Sequence, residues 1–366
     1  MQRIVTVAGA RPNFMKIAPI ARQLARFADT VRHTIVHTGQ HYDRAMSEVF
    51  FDQLGIPEPD INLNVGSASH SAQTAAVMTA FEPVIDSLRP DTVVVVGDVN
   101  STLACALVAA KRGVRLAHVE AGLRSFDRTM PEEINRVLTD QISDVLFTTE
   151  RTAAINLARE GIPEQRVHFV GNVMIDTLLT HRERARGLAV AQRYGLQPRA
   201  YGTLTLHRPS NVDDQSVFDS LLTAIADISR DVPIVFPVHP RTRPRVLASP
   251  LASTLVERGA LRLLEPLGYL EFIGLMDSSA VVLTDSGGIQ EETTILQVPC
   301  LTLRTTTERP ITVSEGTNQV VGTQPADIVA GWRRIGSRPA GTVPELWDGR
   351  AAERIVDVLR QVSIAA

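Results

Sequence analysis

Three carboxylates, Asp98, Glu120 and Glu132, lie in the first half of a chain of 366 residues. Asp98 and Glu120 stand just past short apolar runs, VVVV before Gly97 and LAHV before Glu120, and Glu132 follows Pro131 in MPEEINR. Paired carboxylates suit removal of a proton at one place and its delivery at another. A second set is cationic or potentially so: Arg11, Lys16, His207, Arg208 and His239. These suit a diphosphate, above all one that departs as an anion. A third feature is the stretch SSAVVLTDSGGIQEETTIL, residues 278–296. Its apolar run reads as a buried parallel strand, Ser286 as a helix N-cap, and Gly287-Gly288 as a turn that leaves the first N–H groups of the helix open to an anion. Glu291 and Glu292, about one turn further on, can accept ribose hydroxyls.

Each group also has a plainer reading. The glycine pair could be an ordinary strand-to-helix turn, and Glu132 and Glu133 could serve only as acids in a helix first turn. A single polar residue after a strand is commonly a loop residue. Here Arg11, Gln40-His41, Asp98, Glu120, His207-Arg208, His239 and Asp285-Ser286 all follow apolar strands. Their convergence favours a ligand site. His33 and His37 read as packing or surface histidines, and His70 as a polar residue at a helix start.

The elements that must position these groups alternate. Strands are predicted at 3–8, 33–37, 92–96, 115–119, 145–148 and 167–170, then at 201–205, 233–237, 261–264, 280–283, 299–303 and 319–321. GARPNFMK follows the first strand, and a helical pattern then runs through Ile17, Ile20, Ala21, Leu24 and Phe27. Further helices are predicted through Met46, Phe50 and Leu54, over 72–88, through Ala104 and Leu107, and from Glu132. Alternation of this kind means parallel sheets covered by helices on both faces. The fold class is α/β, with two Rossmann-like domains and a cleft between them, where ligands bind beyond the strand ends. The domains are set at 1–172 and 173–350, with 351–366 assigned to the first.

Composition narrows the function. Hydrophobic residues make up 44 % and charged residues 21 %, ordinary for a globular protein. A net charge of -3 without a basic block argues against a nucleic-acid partner. No apolar run approaches the ~20 residues that span a bilayer, so a membrane role is not expected. The start MQRIVTVAGARP goes straight into a strand and lacks the layout of a signal peptide. Cys105 and Cys300 are predicted to be free buried thiols. No Cys or His cluster has metal spacing, so no metal is expected. The first strand lacks G-x-G-x-x-G behind it, which weighs against a dinucleotide oxidoreductase.

The motifs GARPNFMKIAPI, HTGQHYD, VVGDVNST, HVEAGLRSFDRTMPEEINR, TLHRPSNVDD, FPVHP, LTDSGGIQEE and TTERP run in order from Arg3 to about Gly322. Together they resemble the non-hydrolysing UDP-N-acetylglucosamine 2-epimerases. The resemblance implies the two-domain fold of GT-B glycosyltransferases, with 351–362 as a helix returning to the first domain. It also implies a cytoplasmic homodimer that needs neither NAD nor a metal. The implied reaction is anti elimination of UDP to 2-acetamidoglucal and re-addition, which gives UDP-N-acetylmannosamine for cell-surface polysaccharide. By motif match, Asp98, Glu120 and Glu132 become the acid/base groups, and His207 stabilises the departing diphosphate. Arg11, Lys16, Ser286, Gly287 and Gly288 hold phosphates, with His239 nearby; Glu292 holds the ribose; Arg136 positions the carboxylates. Gln40 and His41 match the site of a second, activating UDP-N-acetylglucosamine, although Asp43 and Ala72 replace the glutamine and arginine of regulated members. Asn13 replaces the acid of the common GTRPE motif, and the loop before Glu132 is short. Both features also occur in relatives that epimerise UDP-2,3-diacetamido-2,3-dideoxyglucuronic acid, which is the alternative substrate. A GT-B glycosyltransferase is a further alternative.

Overall fold

A computed structural model describes residues 1–9, 11–39, 55, 58–337 and 339–362. The chain divides into two compact units: residues 1–180 with 345–366, and residues 181–344. The divisions fall at Thr180/His181 and Pro344/Glu345, not at 172/173 and 350/351. The helix Val173–Gly187 carries the chain through the first division, so no break in regular structure marks it in the sequence.

The first unit is a parallel sheet of seven strands: β1 (Gln2–Ala8), β2 (Val31–His37), β3 (Ile61–Asn62), β4 (Thr92–Val96), β5 (Arg115–Ala121), β6 (Val145–Thr148) and β7 (Val167–Phe169). Their order is β3-β2-β1-β4-β5-β6-β7. The direction of winding reverses between β1 and β4, and ligands in such sheets bind beyond the strand ends at that reversal. Val93 to Val96 are all buried, as a strand covered on both faces requires. The two-residue edge strand β3 was not predicted; it is too short to show a period. The helix Arg11–Ala25 begins within GARPNFMK, so Lys16 sits on its second turn and not in a loop.

The second unit has β8 (Gly202–Thr205), β9 (Ile234–Pro237), β10 (Leu261–Leu264), β11 (Val281–Thr284), β12 (Cys300–Thr302) and β13 (Asn318–Val320). The order β10-β9-β8-β11-β12-β13 places the same reversal between β8 and β11. Its core joins Leu204, Phe218, Leu222, Ile225, Phe236 and Leu283. Cys105 and Cys300 are free and buried, and burial pushes the Cys300 thiol up to about 12.

The last helix, Ala351–Val362, lies in the first unit and packs on the helix Arg11–Ala25 with Ile355, Val356 and Leu359 buried. Its N-terminus is capped from another helix: the Asp176 carboxylate accepts from Ala351 N at 3.1 Å and Ala352 N at 2.7 Å. Just before it, Trp347 is 1 % exposed and donates Nε1–H to Thr149 O at 3.0 Å. Trp347→Ala is therefore expected to lower the stability of this unit by about 3–5 kcal/mol in urea unfolding, and a loss below about 1 kcal/mol would show that the tail is not anchored through this ring.

Candidate active site

The turn after β4 is fixed atom by atom. The Val96 carbonyl accepts from Asn13 Nδ2 at 2.9 Å and from Thr102 Oγ1 at 3.0 Å. Gly97 has a φ of +72° and donates its N–H to Val119 O at 3.0 Å. Asp98 follows, its carbonyl held by Asn135 Nδ2 at 2.9 Å and its carboxylate by Arg136 Nη2 at 2.5 Å. Asn135 and Arg136 both come from the helix Pro131–Ile142.

Glu120 belongs to β5 and not to the loop after it. It lies where the register with β6 shifts between Val119 and Ala121, and its φ is +70°. A glutamate in that left-handed region costs about 1–3 kcal/mol, which the surrounding structure must offset. The distortion turns the carboxylate inward, where it is 4 % exposed and forms an ion pair with the Lys16 ammonium, itself 7 % exposed. Lys16 thus meets a carboxylate here. A methyl group built on Gly97 would lie 3.4 Å from Glu120 Oε2, 3.5 Å from Lys16 Nζ and 3.3 Å from Asn13 Nδ2. The end of β4 therefore forms one cluster with Glu120. The other oxygen, Glu120 Oε1, is buried and has no hydrogen-bond partner among the described residues. A buried oxygen left in that state is costly unless something else meets it.

The two adjacent glutamates divide their work. Glu133 is 3 % exposed and accepts from Ser125 N at 2.8 Å, Ser125 Oγ at 2.9 Å, Phe126 N at 3.0 Å and Arg136 Nη1 at 3.0 Å. It ties the preceding loop to the helix. Glu132 is half-buried, and no hydrogen bond or ion pair engages its carboxylate among the described residues. It makes no capping bond, since the N-cap is Met130 and has none.

In the second unit the pivot is Asp285, which is fully buried. Its carboxylate accepts from His207 N at 3.0 Å and Arg208 N at 2.9 Å, and lies 3.0 Å from His207 Nδ1. Burial would push this carboxyl up, but the His207 ring and the two backbone donors outweigh it and hold it below its ordinary value. Asp285 thereby aims the His207 ring. In the sequence Asp285 is marked only as a strand-end residue, because its distance from His207 hides the pairing. The His207 and His239 rings lie 6.0 Å apart.

Ser286 occupies the N-cap position of the helix Gly287–Leu296, yet its hydroxyl makes no capping bond. The first N–H groups of this helix remain available to an anion, as helix termini permit. Gly287 has a second reason to be glycine. A methyl there would lie 2.5 Å from Arg309 Nη1 and 2.7 Å from Glu308 Oε1. The glycine makes room for a buried ion-pair chain, in which Arg309 pairs with Glu308 Oε1 at 2.5 Å and with Glu291 Oε1 at 2.8 Å, and Arg304 pairs with Glu308 Oε2 at 2.9 Å. Glu292 is 3 % exposed. Arg11 is the first residue of its helix. Gln40, His41 and Asp43 lie outside the described residues. Among the described residues there is no group of three or more His, Cys, Asp or Glu side chains that could hold a metal ion, and no helix long and apolar enough to cross a membrane.

The family model described as UDP-N-acetylglucosamine 2-epimerase matches residues 24–360. The chain belongs to that family. A UDP-N-acetylglucosamine 2-epimerase of Methanococcus maripaludis is 42 % identical over 334 residues, covering 90 % of each chain. The UDP-2,3-diacetamido-2,3-dideoxy-D-glucuronate 2-epimerase of Pseudomonas aeruginosa is 41 % identical, covering 98 % of this chain and 100 % of the relative. The crystal structure of Methanocaldococcus jannaschii UDP-GlcNAc 2-epimerase with UDP-GlcNAc and UDP superposes with a TM-score of 0.90 at 41 % identity, covering 99 % of this chain and 100 % of that one.

One group of this epimerase-family chain has a clear pH signature. Burial pushes the Glu292 carboxyl up to about 8 from an ordinary 4.5; the Tyr269 hydroxyl partly opposes this and Glu291 adds to it. Between about pH 5 and pH 8 the folded chain keeps a proton that the unfolded chain has released, so stability falls as pH rises. Glu292→Gln is expected to remove that fall in urea unfolding of the ligand-free protein. Identical pH profiles for the two proteins would contradict the assignment.

Proposed function

We propose that this protein interconverts UDP-N-acetylglucosamine and UDP-N-acetylmannosamine by elimination and re-addition of UDP. A base takes the proton from carbon 2 while the bond from carbon 1 to the diphosphate oxygen breaks and its electron pair leaves with UDP. A double bond forms between carbons 1 and 2, giving 2-acetamidoglucal. UDP oxygen then attacks carbon 1, and carbon 2 is protonated from the opposite face. The sugar ends at the oxidation level at which it began, so the reaction calls for no electron acceptor.

The observation that carries this reading is Glu120, a strained and buried carboxylate beside Lys16 with one oxygen unpartnered among the described residues. Asp98, braced by Arg136, and the unengaged Glu132 complete the acid/base set. Arg11 would hold phosphate, and the open helix start at Ser286-Gly287-Gly288 would take the diphosphate. His207, aimed by Asp285, would stabilise it as it leaves, with His239 alongside. Glu292 would take the ribose. We place this chemistry in the cytoplasm and in a homodimer, as the family resemblance implies. Residues 40 and 41 would serve a second UDP-sugar if activation occurs.

A second substrate is kept because Asn13 stands in place of the acid and the loop before Glu132 is short, features that also occur in relatives acting on the diacetamido uronate. Asn13 is 3 % exposed and donates to the Val96 carbonyl, which an ionised acid at that position could not do. The Pseudomonas relative named for UDP-2,3-diacetamido-2,3-dideoxy-D-glucuronate is as similar as the archaeal ones. Both UDP-sugars should be incubated with the protein and the products separated. Formation of the 2-epimer from UDP-N-acetylglucosamine supports the main reading, turnover of the uronate alone moves the substrate, and turnover of neither overturns the proposal. Glu→Gln at 120 and at 132 and Asp98→Asn are each expected to lower turnover by about 10²-fold or more, with UDP affinity within a fewfold of wild type. If Glu132→Gln keeps more than about a tenth of wild-type turnover, Glu132 leaves the acid/base set.

A further inference from the structure

We propose that His118 is a positioning residue for this reaction, a buried imidazolium that with Asp140 locks the backbone beneath Asp98 and Glu120. The proposal rests on the acid/base roles given to those two carboxylates. His118 lies on β5, fully buried, two residues before Glu120. Its Nδ1 is 2.6 Å from Asp140 Oδ1 and its Nε2 is 2.8 Å from the Gly97 carbonyl. Both partners are acceptors. A neutral imidazole carries one N–H and can satisfy only one of them; the imidazolium satisfies both.

Asp140 does not supply the missing proton. Burial would push its carboxyl up, but the carboxyl lies below its ordinary value, with the Arg124 guanidinium donating to Oδ2 at 2.7 Å. The remaining charges balance. Arg124 bonds Asp140 Oδ2 at 2.7 Å and Glu160 Oε2 at 2.6 Å, so two anions face two cations. His118, Asp140 and Arg124 are buried and Glu160 is half-buried, and ionised groups taken out of water are expensive unless each is paired and hydrogen-bonded. This set meets that condition while gripping the backbone at two points.

The first grip is the Gly97 carbonyl, immediately before Asp98. The second is Gly122 N–H, which donates to Asp140 Oδ2 at 3.0 Å. Glu120 lies midway between His118 and Gly122, so one carboxylate holds the chain on both sides of the residue with a φ of +70°. Without that clamp the bulge can relax to ordinary strand geometry, which turns the side chain to the other face. Misplacing a reacting group by about 1 Å can cost about 10²-fold in rate.

The test uses the full-length protein with 15N-labelled histidine rings. The His118 signals, identified by their absence in His118→Gln, should show both ring nitrogens protonated in the native protein. In Asp140→Asn the ring should become neutral. His118→Gln should lower kcat by about 10²-fold with KM within a fewfold and UDP affinity by calorimetry unchanged, because the second unit is intact. A neutral His118 ring in the native protein overturns the proposal while leaving epimerase activity in place. So does a folded His118→Gln that keeps more than about a third of wild-type kcat, against the expected loss. A protein with the imidazolium signature but no epimerase activity would instead refute the proposed function.

Discussion

Glu120 carries a left-handed backbone inside a parallel strand, and its carboxylate is buried against the Lys16 ammonium. Neither condition is stable alone. Strain of about 1–3 kcal/mol needs neighbours that over-determine the backbone, and a buried carboxylate needs a cation or donors. The first unit supplies both. Lys16 reaches Glu120 from the helix that follows β1. The turn after β4 presses Gly97, which has no side chain to intrude, against the same carboxylate. The helix Pro131–Ile142 then braces that turn through Asn135 and Arg136, and braces β5 through Asp140. Much of the polar chemistry in the core of this unit therefore exists to hold two carboxylates at the end of two strands.

The second unit applies the same topology to the opposite charge. Its winding also reverses beyond two adjacent strands, β8 and β11. There a single buried carboxylate, Asp285, organises backbone donors and an imidazole, and the adjacent helix start has no side-chain cap. Arg309, Arg304, Glu308 and Glu291 are buried as a chain of ion pairs behind Gly287. Donors aimed outward from a rigid base suit a diphosphate that must be held and then released.

The strands were largely legible because each is a short apolar run followed by glycine or a polar residue, as at TVVVVG and VVLTDSGG. The polar residues at strand ends were legible for the same reason. Four kinds of feature were not. GARPNFMK looked like a connection, but the helix starts at Arg11 and claims Lys16. Glu120 looked like a loop residue because a bulge leaves no periodic mark in HVEAG. Asp285, His118 and Asp140 act through partners distant in sequence, which no local pattern displays. In MPEEINR the spacing could not distinguish the glutamate that ties a loop from the one left unengaged; only the bonds of Glu133 separate them.

The central claim is that the acid/base groups break and remake the bond between carbon 2 and its hydrogen while UDP departs and returns. The most direct measurement is incubation with UDP-N-acetylglucosamine in deuterated water, reading carbon 2 of both epimers by NMR. Both epimers should carry solvent deuterium at carbon 2, with small amounts of UDP and 2-acetamidoglucal released on long incubation. Epimerisation that leaves carbon 2 fully protiated would contradict it.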